Sequence, residues 1–206
     1  MKFKKSPIDV FDNWVKIGKD DGLEKNHASA VGKMVEYSTS SLEQFSFIDA
    51  GCGNGWLVRY LLENTKCANG IGVDGSKKMI KKARSLDNLG TYFNADLLSW
   101  NPKNKVNVVF SMEVLYYFEN PQELIKKIHD NWLLKNGRFI MGIDYYIENN
   151  TCHDWQEKTK VNIMKLHSIE EWLSFFKRSG FKNINYKQVC TGKNWEGTLV
   201  IYGDKN

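Results

Sequence analysis

A glycine-rich turn after a buried apolar run is the strongest chemical signal in this sequence. Residues Phe45–Ala50 form a short apolar run, and the turn that follows carries Gly51, Gly53 and Gly55 before a helix begins. Glycines let the backbone turn sharply and let a ligand approach it closely. Asp49 would repel a phosphate, whereas its carboxylate can attract the ammonium of an amino acid. The Gly-x-Gly-x-Gly spacing therefore favours a ligand with an amino-acid end over one with a pyrophosphate.

Two further carboxylates follow the next two apolar runs. Asp74 ends the run Gly70–Asp74, where a carboxylate can accept hydrogen bonds from both hydroxyls of a ribose. Asp96 ends the third run, where it can face the exocyclic amine of an adenine. Three successive strand ends thus offer partners for an amino acid, a ribose and a base, in that order.

The elements that position these residues alternate between strands and helices. Near-continuous apolar strands separated by helices are typical of a parallel sheet covered on both faces, and right-handed crossovers then make it doubly wound. The predicted strands are Phe45–Ala50, Gly70–Asp74, Thr91–Ala95, Val106–Met112, Arg138–Ile143, Phe181–Val189 and Gly197–Tyr202, and the predicted helices are Trp56–Asn64, Ser76–Leu86, Pro121–Leu134 and Ser168–Ser179.

The two ends of the chain depart from this alternation. The last two strands have no helix between them, so they must be antiparallel neighbours. Residues 1–44 contain two helical patterns, Val10–Ile17 and Asn26–Tyr37, which we expect to pack as an N-terminal lid on the sheet domain 45–206. Residues 145–167, the insert, are rich in aromatic side chains and follow a strand end, which predicts a second lid over the same cleft. We expect a single domain over residues 1–206.

With these motifs the chain resembles the class I S-adenosylmethionine-dependent methyltransferases, over roughly residues 45–203. That resemblance implies a Rossmann-like α/β fold with a seven-stranded sheet, mostly parallel, whose strand 7 is antiparallel. The motifs that carry it are Asp49–Gly55, Gly72–Ser76, Asn94–Asp96, Ser111–Leu115 and Leu134–Arg138.

The resemblance also implies a place for each part of S-adenosylmethionine, which would leave as S-adenosylhomocysteine. Asp49, Gly51 and Gly53 would surround the methionine part, and Met112 would lie near the sulfonium. Asp74 would hold the ribose, and the adenine would be held by Asp96 and Leu97. Further cofactor contacts are predicted for Trp14, Gly75 and Ser76.

Among these enzymes the chain looks most similar to small-molecule methyltransferases of the ubiquinone and menaquinone biosynthesis type. Their quinone O-methyltransferases carry Glu-His where this chain has Tyr116 and Tyr117, so no metal and no catechol acceptor is expected. The motifs of adenine-N6 and cytosine-C5 enzymes after the fourth strand are absent. A small organic acceptor with an O, N or C nucleophile is therefore favoured over a nucleic acid.

The acceptor side of the site has several candidate residues. His27, His153 and Tyr117 are the catalytic candidates, because a histidine can act as a base near neutral pH and a tyrosine hydroxyl can orient a nucleophile. Each also has an ordinary structural explanation as a cap, surface or core residue. Predicted acceptor contacts are Glu113, Tyr116, Tyr145 and Trp155.

Composition narrows the alternatives without choosing the acceptor. The net charge of +5 is a mild basic bias, with lysines spread as on solvated helix faces. Four cysteines without zinc spacing predict a cytoplasmic protein with reduced thiols. No apolar stretch is long enough to cross a bilayer, so we expect no insertion into membranes. We expect a monomer or a homodimer. Two alternatives stay open: a methyltransferase acting on tRNA or protein, and a non-catalytic S-adenosylmethionine-binding protein. The Gly-x-Gly-x-Gly spacing and the terminal hairpin argue against a third, a nicotinamide-dependent dehydrogenase.

Overall fold

The computed structural model describes residues 4–206, so the first three residues of the predicted N-terminal lid lie outside it. The strands are β1 (Phe45–Ala50), β2 (Cys67–Asp74), β3 (Thr91–Asn94), β4 (Val106–Met112), β5 (Leu133–Ile143), β6 (Lys182–Val189) and β7 (Thr198–Asp204). The helices are α1 (Pro7–Lys16), α2 (Gly22–Thr39), α3 (Trp56–Asn64), α4 (Lys77–Leu86), α5 (Pro121–Lys127), α6 (Trp155–Thr159) and α7 (Ile169–Arg178).

All seven strands form one sheet in the order β3-β2-β1-β4-β5-β7-β6. Strands β1 to β5 pair in parallel, whereas β7 runs antiparallel to both β5 and β6. Strands β2 and β3 extend the sheet on one side of β1, and β4 and β5 extend it on the other, so the strand order reverses between β1 and β4. Ligands bind at such a reversal in open α/β sheets. The predicted seven-stranded, mostly parallel sheet with an antiparallel seventh strand is confirmed.

Both faces of the sheet are buried, as the continuous apolar strands predict. Consecutive residues of a strand point to opposite faces. Phe47 packs with Leu57 and Leu61 on one side. Ile48 belongs to the core on the other side, which includes Trp132 and Trp172. The sheet is therefore a rigid base for the loops at its carboxyl edge.

The segment between α5 and β5 differs from its prediction. A helix was predicted over Pro121–Leu134, but α5 ends at Lys127 and is followed by a π-helical turn, Ile128–Trp132. Strand β5 then begins at Leu133, five residues before the predicted start at Arg138, and Leu133 pairs with Val106 of β4. Apolar residues continue at helical spacing through Trp132, so periodicity cannot reveal where pairing with β4 takes over.

Residues before β1 cover the carboxyl edge of the sheet and are held there by side-chain hydrogen bonds. Asp12 Oδ1 on α1 accepts from Ser76 Oγ at 2.5 Å and from the Lys78 amide at 3.2 Å. The buried Asp20 carboxylate accepts from Asn54 Nδ2 at 3.1 Å and pairs with Lys82 at 2.7 Å. The N-terminal lid is thus attached to α4 and to the glycine-rich turn.

The insert is joined to the N-terminal lid by a short parallel β-bridge between Lys5 and Val161. The Lys5 amide donates to the Lys160 carbonyl at 2.9 Å, and the Asn162 amide donates to the Lys5 carbonyl at 2.8 Å. The two lids therefore meet over the cleft. Within residues 4–206, no helix has the length and apolar character that crossing a membrane requires.

Candidate active site

A cavity of about 720 Å³ lies at the carboxyl ends of the parallel strands, between the sheet edge and the two lids. Drug-sized ligands occupy pockets of roughly 300–1,000 Å³. The predicted site residues that line it are Trp14, His27, Asp49, Gly51, Gly53, Asp74, Gly75, Asp96, Leu97, Met112, Glu113, Tyr116, Tyr117 and Trp155.

The glycine-rich turn forms one wall of the cavity, and its first position, Gly51, admits only glycine. Gly51 has a φ of +84°, and a Cβ there would lie 2.2 Å from Cγ2 of Val114. Its amide donates to the Val73 carbonyl at 2.8 Å, which fixes the turn against β2. The backbone of the turn consequently faces the cavity with no side chain in front of Gly51.

Asp74, at the end of β2, organises the turn as well as lining the cavity. One carboxylate oxygen accepts from the Gly53 amide at 3.0 Å and the other from the Ser76 amide at 2.7 Å. Burial raises the pKa of Asp74, and these two hydrogen bonds oppose that rise. Each oxygen retains a further lone pair, so the carboxylate can still accept from a ligand hydroxyl.

Asp49, at the end of β1, is buried with little compensation. Its side chain lines the cavity, and the residue is 4% exposed. Burial, with a smaller contribution from the negative charge of Asp74, raises its pKa to about 8, and no hydrogen bond offsets that rise. A cationic group in the cavity would favour the ionised carboxylate.

The third predicted carboxylate lies two residues beyond its strand. Strand β3 ends at Asn94, and Asp96 follows in a turn where its Oδ2 accepts from the Ser99 amide at 3.0 Å. Asp96 is exposed at the cavity, whereas the neighbouring Leu97 is buried. The pair offers a polar and an apolar surface side by side.

Beyond β4 the cavity is bounded by Glu113 and two tyrosines. Glu113 has a φ of 59°, the left-handed region that non-glycine residues rarely adopt. Its carboxylate accepts from the Tyr116 hydroxyl at 2.6 Å and from the Asp144 amide at 2.5 Å, while burial raises its pKa well above the usual range. Glu113 therefore ties β4 to β5 across the floor of the cavity.

His27 of α2 and Asp144 both line this end of the cavity, and each affects the charge of the other. Burial lowers the pKa of His27, an effect that the negative charge of Asp144 opposes. Burial raises the pKa of Asp144, and a hydrogen bond from the Thr198 side chain and the charge of His27 oppose that rise. A neutral imidazole at this position can accept a proton from a ligand.

Aromatic rings form the outer wall. The Phe11 ring centroid lies 5.0 Å from that of Trp14 and 5.5 Å from that of Tyr117. Lys19 Nζ lies 4.1 Å from the centroid of the Trp14 ring. Burial raises the pKa of the Tyr117 hydroxyl, so this group is a neutral donor at ordinary pH.

Three of the predicted residues do not line the cavity. His153 is exposed and its Nε2 lies 2.9 Å from the Ile147 carbonyl oxygen. Tyr145 is buried behind Tyr116, with ring centroids 5.5 Å apart. Ser76 is the N-cap of α4, accepting from the Met79 amide at 3.1 Å. Their predicted contacts with ligands would have to be indirect or follow a movement of the chain.

The lining residues that were not predicted include Phe11, Lys19, Asn26, Asp144 and Lys158. Asp144 had a recognisable signal, since it directly follows the fifth strand as Asp74 ends the second. The others lie on the N-terminal lid or the insert, whose docking depends on tertiary contacts that spacing does not reveal.

The family model and two of the curated relatives that this chain resembles are described as transferases of a methyl or carboxymethyl group. Residues 19–186 match the family model described as "Methyltransferase domain". The chain is 29% identical over 108 residues to trans-aconitate 2-methyltransferase of Escherichia coli O1:K1, covering 45% of this chain and 43% of that protein. It is 28% identical over 159 residues to tRNA U34 carboxymethyltransferase of Pseudoalteromonas atlantica, covering 73% and 48%. The alignments thus span less than half the length of either curated relative.

A solved structure extends the likeness to the whole fold. A chain of the complex between the Haloferax volcanii Trm112 methyltransferase activator and a methyltransferase superposes with a TM-score of 0.82, at 24% sequence identity. The match covers 95% of this chain and 97% of that chain.

Proposed function

Because this chain belongs to the class I S-adenosylmethionine-dependent methyltransferases, we propose that it transfers the methyl group of S-adenosylmethionine to a small organic acceptor. The observation that carries this proposal is the cavity closed by both lids, with carboxylates at the ends of adjacent strands. A cavity of this size and enclosure suits a cofactor with a small acceptor beside it.

The residues present fit the cofactor. Asp49, a buried carboxylate without a hydrogen bond to lower its pKa, would pair with the ammonium of the methionine part beside Gly51 and Gly53. Asp74 would accept from the ribose hydroxyls while Gly75 leaves room for them. The adenine would lie against Leu97, with Asp96 accepting from its amine. Met112 and Trp14 would lie nearer the acceptor.

The bound cofactor supplies a methyl group that is already reactive because it is attached to a sulfonium. The chain therefore acts mainly by alignment, and orientation of this kind can supply about 7–11 kcal/mol of barrier lowering. Tyr117 and Trp155 would position the acceptor, and His27 would take the proton where the nucleophile carries one. His27 is preferred to His153 because only His27 lines the cavity.

The two open alternatives make different demands on the cavity. An acceptor on tRNA, suggested by the tRNA U34 carboxymethyltransferase relative, would need an open basic mouth. Instead the lids are joined by the Lys5–Val161 bridge and the outer wall is aromatic, which favours a small molecule. A non-catalytic binding protein would show cofactor affinity and no acceptor turnover. Our proposal includes a cytoplasmic location, which the four free thiols support.

The proposal is tested by titrating S-adenosylhomocysteine and NAD in parallel, then measuring S-adenosylhomocysteine release with quinols, amines, small acids and tRNA. We expect S-adenosylhomocysteine to bind, NAD not to bind, and a small molecule to be methylated. Binding of NAD alone would overturn the assignment, and turnover of tRNA alone would favour the macromolecular alternative.

A substitution at Asp74 checks the cofactor site. Asp74→Ala should weaken S-adenosylhomocysteine binding roughly 10- to 100-fold, since charge-assisted hydrogen bonds contribute about 1.5–3 kcal/mol. Asp74→Asn, which keeps one acceptor oxygen, should lose less. Isothermal titration of both variants measures the difference, and equal affinity of Asp74→Ala and the unmodified protein would remove Asp74 from the site.

A further inference from the structure

The order of the strands arranges five acidic residues along one edge of the sheet. Following the sheet order β3-β2-β1-β4-β5, the strand ends carry Asp96, Asp74, Asp49, Glu113 and Asp144. Neighbouring strands lie about 4.8 Å apart, so the series runs steadily across the cavity. The first three have partners in the proposed cofactor. The last two lie on the acceptor side.

Asp144 is the member of this series with an unused binding group. It is the first residue after β5, is 6% exposed and lines the cavity. Its Oδ1 is buried and has no hydrogen-bond partner among residues 4–206. An unpaired buried acceptor costs free energy, and a rotation of the Asp144 side chain that turns this oxygen towards the cavity would let an N–H or O–H of a ligand remove that cost.

Glu113 does not compete for the same ligand group. Its two carboxylate oxygens already accept from the Tyr116 hydroxyl and the Asp144 amide. His27 of α2 lines the same end of the cavity, and burial lowers the pKa of its imidazole, which favours the neutral form. The acceptor end of the cavity therefore combines a carboxyl that has one unpaired oxygen with a histidine whose neutral form is favoured.

The charged residues around the acceptor end of the cavity determine which ligand charge is favoured. The two lysines among the lining residues are both exposed at the mouth. Lys19 lies over the Trp14 ring, and Lys158 is paired with Asp154 at 2.7 Å. The interior is acidic and its outer wall is aromatic, which suits a cation because aromatic faces also attract cations. An ammonium would favour the ionised form of Asp144, whereas a carboxylate acceptor would find no buried lysine among the described lining residues to pair with.

We propose that the methyl acceptor is an amine with an apolar body, whose nitrogen is bound by Asp144 and deprotonated by His27. This rests on the proposed function, because it names the acceptor for the same cavity. The ammonium gives one proton to the His27 imidazole, and the freed lone pair forms the new N–CH3 bond. The S–CH3 bond breaks with its electron pair moving to sulfur, which leaves neutral S-adenosylhomocysteine and a methylated ammonium, and His27 then releases its proton to water.

The test uses the full chain and acceptors matched in shape. Primary arylalkyl and alkyl amines, beginning with 2-phenylethylamine, are each paired with the alcohol and the carboxylic acid of the same skeleton. Affinity is measured by calorimetry on the complex with S-adenosylhomocysteine, and methylation by mass spectrometry with S-adenosylmethionine. We expect amines to bind at least tenfold more tightly than their paired acids and to be the compounds methylated.

The substitution Asp144→Asn tests whether Asp144 is responsible for the preference for amines. Asp144→Asn should weaken amine binding roughly 10- to 100-fold, the effect of removing a charged partner, while leaving the affinity for paired alcohols and for S-adenosylhomocysteine unchanged. Asp130→Asn, at an exposed carboxylate away from the cavity, is the matched control and should change none of these affinities.

The outcomes separate the two proposals. No amine binding more tightly than its paired acid, or an Asp144→Asn variant that keeps the preference for amines, overturns the amine proposal while the cofactor still binds. Failure of S-adenosylhomocysteine to bind refutes the proposed function instead. The acceptor panel requires no variant, so it decides the question even if Asp144→Asn does not fold.

Discussion

Asp49 and Asp74 are neighbouring carboxylates with different surroundings. Asp74 accepts hydrogen bonds from two backbone amides, which partly offset the cost of burying its charge. It therefore stabilises the turn even when the cavity is empty. Asp49 has no hydrogen bond that lowers its pKa. Its burial is a cost to the empty protein, and a bound ammonium would remove that cost. Binding and stability therefore conflict at Asp49.

This conflict predicts an opposite effect of Asp49→Asn on stability and on binding. The folded-state pKa is raised from 3.8 to about 8, so the folded protein binds more protons and its stability falls as pH rises between these values. Asparagine has no such loss. The empty variant should be more stable than the unmodified protein at pH 8, by about 1–3 kcal/mol, and equally stable near pH 4. Thermal unfolding with and without S-adenosylhomocysteine measures both effects, and stabilisation of both proteins to the same extent by the ligand would contradict the assigned ammonium contact.

His27 carries the second residue-scale prediction. His27→Ala should slow methylation, by at most about 10²–10⁴-fold, because alignment remains when the base is lost. The defect should shrink as pH rises, since the acceptor then loses its proton to solvent. His153→Ala is the matched control, as this exposed histidine contacts only the Ile147 carbonyl in the described geometry. Rates measured from pH 6 to 9 decide the matter, and normal turnover of His27→Ala would remove this residue from the mechanism.

Residues predicted at strand ends line the cavity more consistently than those predicted in the insert, for a physical reason. Asp49, Gly51 and Asp74 are adjacent to strand ends, and parallel pairing brings such ends together wherever the strands lie. Tyr145 and His153 were chosen for their chemistry alone. Their directions depend on the path of the insert, and that path turns both away from the cavity.

At the scale of elements, buried strands with clear turns were predicted most accurately. β1 and β4 have the predicted bounds, because Gly51 follows the first apolar run and Glu113 follows the second, and α3 begins as predicted after Gly55. The boundary between α5 and β5 was missed. There a π-helical turn carries apolar residues directly into the strand, and only pairing with β4 distinguishes the two.

The glycine-rich turn and the loop after β4 are packed so closely that Gly51 admits no side chain. Gly51→Ala should destabilise the protein by several kcal/mol, because left-handed strain and overpacking each cost about 1–3 kcal/mol. Adding Val114→Ala should recover part of the loss by removing the contacts at 2.2 and 3.0 Å. Gly32→Ala in α2, where a Cβ meets nothing within 4 Å, should instead be stabilising by about 0.5–1 kcal/mol. Urea unfolding compares the variants, and an unchanged midpoint for Gly51→Ala would show that the turn can move.

At the scale of the whole molecule, the two lids come from distant parts of the chain and close one cavity together. The N-terminal lid contributes Phe11, Trp14 and His27, and the insert contributes Trp155. Their direct connection is the backbone bridge between Lys5 and Val161. A bridge of two hydrogen bonds is too weak to act as a permanent closure, since each contributes about 0.5–1.5 kcal/mol. Because Val31 and Met34 of α2 belong to the core on the sheet, we expect α1 and the insert, which the bridge joins, to open and close together while α2 stays in place.

This coupling predicts the pattern of hydrogen exchange. The amides of Lys5 and Asn162, which form the bridge, should exchange at similar rates in the empty protein, and S-adenosylhomocysteine should protect both. The Gly51 amide, which donates to the Val73 carbonyl inside the sheet edge, should be protected in either state and serves as the internal reference. Asp12→Ala, which detaches α1 from Ser76 and Lys78, should raise exchange in the insert as well as in α1, whereas Asn13→Ala on the exposed side of the same helix should not. If Asp12→Ala leaves exchange in the insert unchanged, the lids move independently and the cavity closes by two separate events.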